Sequence, residues 1–209
     1  MSKRYYMACL DLQGRSVLVV GGGPVALEKV RGLLDAGARV TVVAPEAVPE
    51  LLSLPVEWLA RGYHSSDLRG RFLVVAATST TPLNRRVFAD AEARGVFCNV
   101  ADVPDLCSLI LPAVHREGPI AVAVSTGGAS PALAQRIRDE VATLVGPEHA
   151  HLAEKMRELR PWAKENLSTY EERRDFFQRR VEEALSERRL DGAHQMSAGA
   201  GLAGAGSGL

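Results

Sequence analysis

Short runs of apolar residues alternate along this chain with stretches whose apolar positions recur every three to four residues. Val17-Leu18-Val19-Val20 is a continuous apolar run, which predicts a parallel strand buried on both faces. A helical pattern follows, with Val25, Ala26, Val30, Leu33 and Leu34 on its apolar side, and it ends near Asp35. Ala36-Gly37-Ala38 caps that helix and leads into Arg39–Val43, a second buried strand. The resulting β-α-β unit has a right-handed crossover that sets its two strands side by side. Val56–Leu59 predicts a short strand and Phe72–Ala77 a stronger, buried one. A helix from Thr80-Thr81-Pro82 to Arg94 comes next, then a strand over Val96–Val100. Ahead of them all, Tyr5–Leu12 predicts a short edge strand before the turn at Gln13-Gly14.

After Pro104 the pattern changes. Ser108–Pro112 and Ile120–Val124 are apolar strands that pair as a hairpin across His115–Pro119. The glycine turn Ser125–Pro131 opens a helix over Ala132–Leu144, and Gly146-Pro147 breaks the chain. Two charged helical stretches follow, His149–Asn166 and Tyr170–Glu187, with Leu152, Met156 and Leu159 on one packing face. Residues 194–209, rich in Gly, Ala and Ser from Ser197 onward, predict a disordered tail. The order of elements predicts an α/β fold: a Rossmann-type parallel sheet, then a small α+β segment and a C-terminal helical region.

Composition narrows the class. The chain has 209 residues, with 25 Lys plus Arg against 25 Asp plus Glu, so net charge argues neither for a nucleic acid nor against it; no nucleic-acid or membrane partner is expected. Cys9, Cys98 and Cys107 are an odd number without C-x-x-C spacing and read as buried thiols in a reducing compartment. No apolar stretch reaches transmembrane length and no signal-peptide pattern opens the chain, so a cytoplasmic protein is expected. The histidines are scattered, and His149 and His151 lie two apart, on different faces of a helix. No metal site is expected.

The chemistry concentrates where strands end. Gly21-Gly22-Gly23-Pro24-Val25-Ala26 follows a strand and opens a helix. Read as G-x-G-x-x-A, it sets a dinucleotide's pyrophosphate on the helix N-terminus, where unpaired N–H groups and the dipole favour an anion. Gly21 gives the tight turn, Gly23 the close backbone approach and Ala26 the close helix packing. Ala44-Pro45-Glu46 lies where the adenosine ribose is held, through Glu46 or through the backbone of Ala44 and Pro45. With no Arg or Lys at that tip, NAD is expected over NADP. Thr78-Ser79-Thr80 ends another strand, its hydroxyls suited to cofactor contact or to capping the next helix.

Four ordered motifs resemble the precorrin-2 dehydrogenase family, the dehydrogenase modules of sirohaem synthesis. They are Val19–Ala26, Ala76-Ala77-Thr78, Phe97-Cys98-Asn99-Val100-Ala101-Asp102 and the second glycine signature Ala123–Pro131. The resemblance runs from about residue 5 to Glu187. It implies NAD-dependent oxidation of precorrin-2 to sirohydrochlorin, with ferrous iron insertion to sirohaem in some members. It also implies a nucleotide domain (1–113), a dimerisation segment (114–146) that makes a homodimer, and a helical region (147–193) closing the substrate cleft. With no methyltransferase module following, the stand-alone form is expected. Asn99 is implied near the cofactor and Asp102 as catalytic. Thr126, Gly127 and Gly128 are implied near the substrate, Thr126 standing where some relatives have serine. The local alternatives are that Asp102 is a turn residue capping its own backbone and that the Ser125-Thr126 turn is structural. Arg85, Arg136, Arg138 and Arg157 are available to a carboxylate-rich substrate. Two further readings stay open: a dinucleotide-sensing domain without chemistry, and a structural dimer module.

Overall fold

A computed structural model of the chain describes residues 5–200, with side chains to residue 186. Five parallel strands form one sheet: β1 (Ser16–Val20), β2 (Arg39–Val43), β3 (Glu57–Leu59), β4 (Leu73–Ala76) and β5 (Phe97–Val100). Their spatial order is β3-β2-β1-β4-β5, which reverses direction between β1 and β4. Open α/β sheets bind ligands at such a reversal, beyond the carboxyl ends of the strands. Helices α1 (Pro24–Asp35), the short α2 (Pro49–Leu52) and α3 (Thr81–Glu92) connect them.

The continuous apolar runs have a direct cause. Alternate residues of β1 feed two separate cores: Leu18 and Val20 pack with Val74, Ala76, Cys98 and Val87. Val17 and Val19 pack with Val40, Val42, Val75 and with Ala26, Val30 and Leu33 of α1. A strand covered on both faces has no solvent side on which to place polar residues. Val25, expected on the apolar side of α1, is instead 42% exposed in its first turn.

Three other expectations change. Tyr5–Leu12 is not a strand; its one anchor in the core is Leu12, and Cys9 is exposed rather than buried. Ser108–Pro112 is not a strand either. The N–H groups of Ser108 and Leu109 both donate to the Cys98 carbonyl, and the Ser108 hydroxyl accepts the Cys98 N–H. That use of the segment covers the free edge of β5, which an unpaired strand would otherwise leave open. The hairpin therefore forms five residues later, from β6 (Ala113–Glu117) and β7 (Ile120–Val124), paired antiparallel with Glu117 opposite Ile120. Only Gly118 and Pro119 remain for the turn, and Gly118 takes φ +53°, a value a glycine adopts without strain.

The chain divides into two compact units: Met1–Pro112 with Ser125–Pro131, and Ala113–Val124 with the remainder. The second unit holds the hairpin, α4 (Pro131–Ala142), α5 (Pro147–Asn166) and α6 (Tyr170–Ala200). The turn of the hairpin rests on α5, where a Cβ at Gly118 would stand 2.9 Å from that of Ala150. Trp162 and Phe176 join α5 to α6 at 5.3 Å between ring centres. Thr169 and Glu172 cap the start of α6 reciprocally, each side chain bonded to the other's backbone N–H. The helix continues to Ala200, past Ser197, where disorder is expected from composition. A helix already formed propagates cheaply through residues such as Ala198 and Ala200. Residues 201–209 of the expected tail lie outside the described residues. Among those described, no helix is long and apolar enough to cross a membrane.

Candidate functional site

The three glycines after β1 do three different things. Gly21 sits at φ +124°, and a Cβ there would collide with the Ala77 carbonyl that follows β4. Gly22 lies under the loop after β2, where a Cβ would collide with the Glu46 carbonyl and stand 2.8 Å from the Ala47 Cα. Its own carbonyl accepts the Val48 N–H at 2.8 Å. Gly21 and Gly22 thus draw the ends of β1, β2 and β4 together. Gly23 differs: its backbone is ordinary (φ −86°, ψ −173°), and a Cβ would meet nothing within 4 Å. Pro24 occupies the first helical position, and the N–H groups of Val25 and Ala26 have no acceptor among the described residues. Open space, free N–H donors and a helix dipole suit an anion there.

At the tip of β2, Ala44 is buried and committed to the sheet. Its N–H donates to the Leu59 carbonyl, and its carbonyl accepts the Trp58 indole N–H at 3.1 Å. Pro45 and Glu46 are exposed, and the Glu46 backbone lies against the glycine turn. Arg61, just past β3, is held in a two-pronged pair with Asp67 at 2.7 and 2.9 Å. Those hydrogen bonds keep the Asp67 carboxyl below its ordinary value.

At the tip of β4, neither threonine hydroxyl caps α3 in the ordinary way. The Thr78 hydroxyl donates to Asn84 Oδ1 at 2.7 Å and accepts the Thr80 N–H, while Asn84 Nδ2 donates to the Thr78 carbonyl. Asn84 is buried, and sequence reasoning passed over it. Its only signal is a polar residue on the inner face of the helix after Thr80.

The tip of β5 carries the acid. Val103 N–H donates to the Val100 carbonyl at 3.3 Å, closing a four-residue turn with Asp102 at its third position. Asp102 has φ +61°, and among the described residues it is the one non-glycine with positive φ. Gly or Asn usually fills that position. Asp tolerates it at roughly 1 kcal/mol, the low end for a residue so held. The Asp102 carboxylate is exposed and makes no hydrogen bond or ion pair among the described residues, so it does not cap the turn. Asn99, buried three residues before Asp102, donates from Nδ2 to the Leu109 carbonyl at 3.0 Å. Cys107, read from sequence as one more buried thiol, contacts both ends of the Asp102 turn. Cys98 faces the core, where burial, with Cys107 near it, pushes its thiol up to about 12.

The second glycine turn meets this segment. Gly127 and Gly128 have φ +64° and +88°, and a Cβ at Gly128 would stand 3.0 Å from the Pro104 ring. Thr126 Oγ1 is occupied within the loop, accepting the Ser130 N–H and donating to the Ser130 carbonyl, both at 3.0 Å. The glycine turns, the strand tips and Asp102 all fall in the first unit. The candidate arginines are dispersed: Arg136, Arg138 and Arg157 pair with Glu140, Asp139 and Glu154 on the second unit's surface. Arg85, on α3, has no ion-pair partner among the described residues. No group of three His, Cys, Asp or Glu gathers among the described residues.

Known proteins share this arrangement. The family described as "Putative NAD(P)-binding" matches residues 8–113, and "Sirohaem biosynthesis protein central" matches residues 117–144. A siroheme synthase of Ectopseudomonas mendocina (strain ymp) is 46% identical over 180 residues, covering 83% of this chain and 39% of that protein. One from Stutzerimonas stutzeri (strain A1501) is 41% identical over 186 residues, covering 87% and 40%. The chain thus spans about 40% of the length of these relatives. The solved structure of SirC, a precorrin-2 dehydrogenase, superposes with a TM-score of 0.70 at 26% identity, covering 88% of this chain and 98% of that one. The order of motifs, the sheet reversal at the glycine turn and these matches agree, and the chain belongs to the family described as "Putative NAD(P)-binding", here followed by a segment of the sirohaem-biosynthesis central type.

Proposed function

We propose that this protein oxidises precorrin-2 to sirohydrochlorin, with NAD as the oxidant and Asp102 as the proton acceptor. The observation that carries the reading is Asp102 itself: a carboxylate without a partner among the described residues, held at positive φ past the tip of β5, at the same end of the sheet as the nucleotide-type glycine turn and two strands from it. Backbone strain of that kind persists where the surrounding structure enforces it, and functional sites are where it concentrates. The local alternative, an aspartate capping its own turn, lacks the hydrogen bond it requires.

The residues present fit a dinucleotide. Gly23 offers open space, Val25 and Ala26 offer N–H donors to the pyrophosphate, and Pro45 and Glu46 flank the ribose position. Bound NAD would supply the hydride acceptor. A proton must leave the tetrapyrrole in the same oxidation, and an Asp102 carboxylate oxygen is the group this chain offers to take it. Asn99 and Thr78 serve first as scaffolding, since their polar groups hold the Leu109 segment and α3. Thr126, Gly127 and Gly128 act by shaping the surface beside Pro104, not through the Thr126 hydroxyl.

The test is spectrophotometric: purified protein with precorrin-2 and NAD should form NADH. Binding of NAD without NADH formation would make it a sensing domain, and binding of neither would make it a structural module. Turnover with NAD should exceed that with NADP, because Glu46 repels a 2′-phosphate and Arg61 is committed to Asp67. Equal rates at equal cofactor concentrations would contradict that assignment.

A homodimer belongs to the same proposal. A two-stranded hairpin is marginal by itself, and α4 buries Ala134 while Leu133 and Ile137 stay 51% and 37% exposed. A two-fold partner would cover both the hairpin and that face. Light scattering at micromolar concentration should give twice the mass of one chain; a monomer would refute the assembly.

A further inference from the structure

We propose that Cys107 is a positioning residue that holds the Asp102 turn in its left-handed conformation; this rests on the reading that Asp102 accepts the proton. Cys107 is 4% exposed, and its sulfur lies against both ends of the turn. Sγ accepts the Val100 N–H at 3.2 Å, and the thiol proton faces the Val100 and Val103 carbonyls, each 3.3 Å away. Asn99 Nδ2 approaches the same sulfur at 3.7 Å. Val100 and Val103 are the first and fourth residues of the turn, so the thiol brackets Ala101 and Asp102 from beneath.

Three features make this contact decisive for the acid. The backbone hydrogen bond that closes the turn is long, 3.3 Å, and does little alone to hold a non-glycine residue at φ +61°. The Asp102 carboxylate has no hydrogen bond among the described residues to fix it, so its position follows the backbone beneath it. A thiol is a weak donor and acceptor, but in a site closed to water its contacts are strengthened. Remove them and Asp102 relaxes toward negative φ, swinging its carboxylate off the strand tip. An aliphatic residue fills the space at 107 equally well, but it cannot bond to both ends of the turn.

The experiment compares Cys107→Val, Cys107→Ser and Asp102→Asn, alone and combined, in the full chain. In Cys107→Val, kcat for precorrin-2 oxidation should fall roughly 10–100-fold, the scale of loss from a misplaced catalytic group, with NAD affinity by calorimetry unchanged. Cys107→Ser, which keeps a donor and an acceptor, should retain more of the rate. On the Asp102→Asn background, Cys107→Val should cause no further loss, because the group it positions is gone. Amide exchange at Val100 and Val103 should quicken in Cys107→Val. Wild-type kcat in Cys107→Val, or the same loss repeated on Asp102→Asn, would overturn the proposal. Should Cys107→Val not fold, Cys107→Ala carries the same readouts. Should the wild-type protein not oxidise precorrin-2, the proposed function fails by itself. Amide exchange then decides the turn alone, and unaltered protection at Val100 and Val103 would dismiss the role of Cys107.

Discussion

Asp102→Asn is expected to slow precorrin-2 oxidation by about 10²–10⁴-fold, the usual contribution of a general base, while NAD affinity stays at the wild-type level. The substitution is close to isosteric, and asparagine tolerates positive φ at least as well as aspartate, so the turn should keep its shape. The loss would then belong to the carboxylate's chemistry and not to a collapsed loop. Asp102→Gly makes the complementary case. It relieves the strain at φ +61°, offset by the greater freedom of glycine in the unfolded chain, so its melting temperature should match or slightly exceed that of the wild type. Activity should be lost all the same. A residue whose replacement preserves stability and abolishes turnover is placed for function. Steady-state kinetics with precorrin-2, beside thermal melts of both variants, decide the matter. An Asp102→Asn enzyme at wild-type rate would return Asp102 to the status of a turn residue, with the proton leaving through another group.

Gly23→Val is the second large effect. It should abolish NAD binding by calorimetry while the protein stays folded. Valine suits an extended backbone at φ −86°, ψ −173°, and its side chain would meet no protein atom near Cβ. The stability cost should be no more than about 1 kcal/mol, the scale of replacing a favoured N-cap. The same side chain would stand in the space through which a pyrophosphate reaches the Val25 and Ala26 N–H groups. Gly22→Ala, one residue earlier, should behave oppositely. Its methyl group collides with the backbone of Glu46 and Ala47, and overpacking of that kind costs about 1–3 kcal/mol. A folded Gly23→Val protein with wild-type NAD affinity would move the cofactor site elsewhere.

The two halves of this contrast mark how far the sequence reaches. A G-x-G-x-x-A pattern between a buried strand and an amphipathic helix is legible because every part of it is local. The strand is recognised by its unbroken apolar run, the helix by its period, and the turn by residues lacking a Cβ. Which glycine serves packing and which faces a ligand is not local. It depends on Ala77 and on Glu46 and Ala47, brought to the turn from two other strands.

The hairpin shows the same division. Apolar content at Ser108–Leu111 and Ile120–Val124 is plain in the sequence, but β-character does not name a partner. Hydrogen bonds to Cys98 drew the first of these segments onto the edge of β5 and shifted the hairpin to Ala113–Glu117. Exposure of Val25 follows from its place on α1: Ala26, Val30 and Leu33 share the buried face, and Val25 lies one residue, about 100°, off it.

By itself, then, the sequence determined the class of sheet, the glycine turn after a buried strand and the presence of an acid after the fifth strand, since burial period and turn chemistry are written residue by residue. Tertiary structure alone decided that Asp102 is strained and unpaired, that Thr78 and Thr126 spend their hydroxyls locally, and that Cys107 underpins the acid. The physical reason is common to all three. A dihedral angle or a hydrogen bond is fixed by which neighbour the folded backbone presents, near or far in sequence, and the residue types state each group's chemistry without that choice.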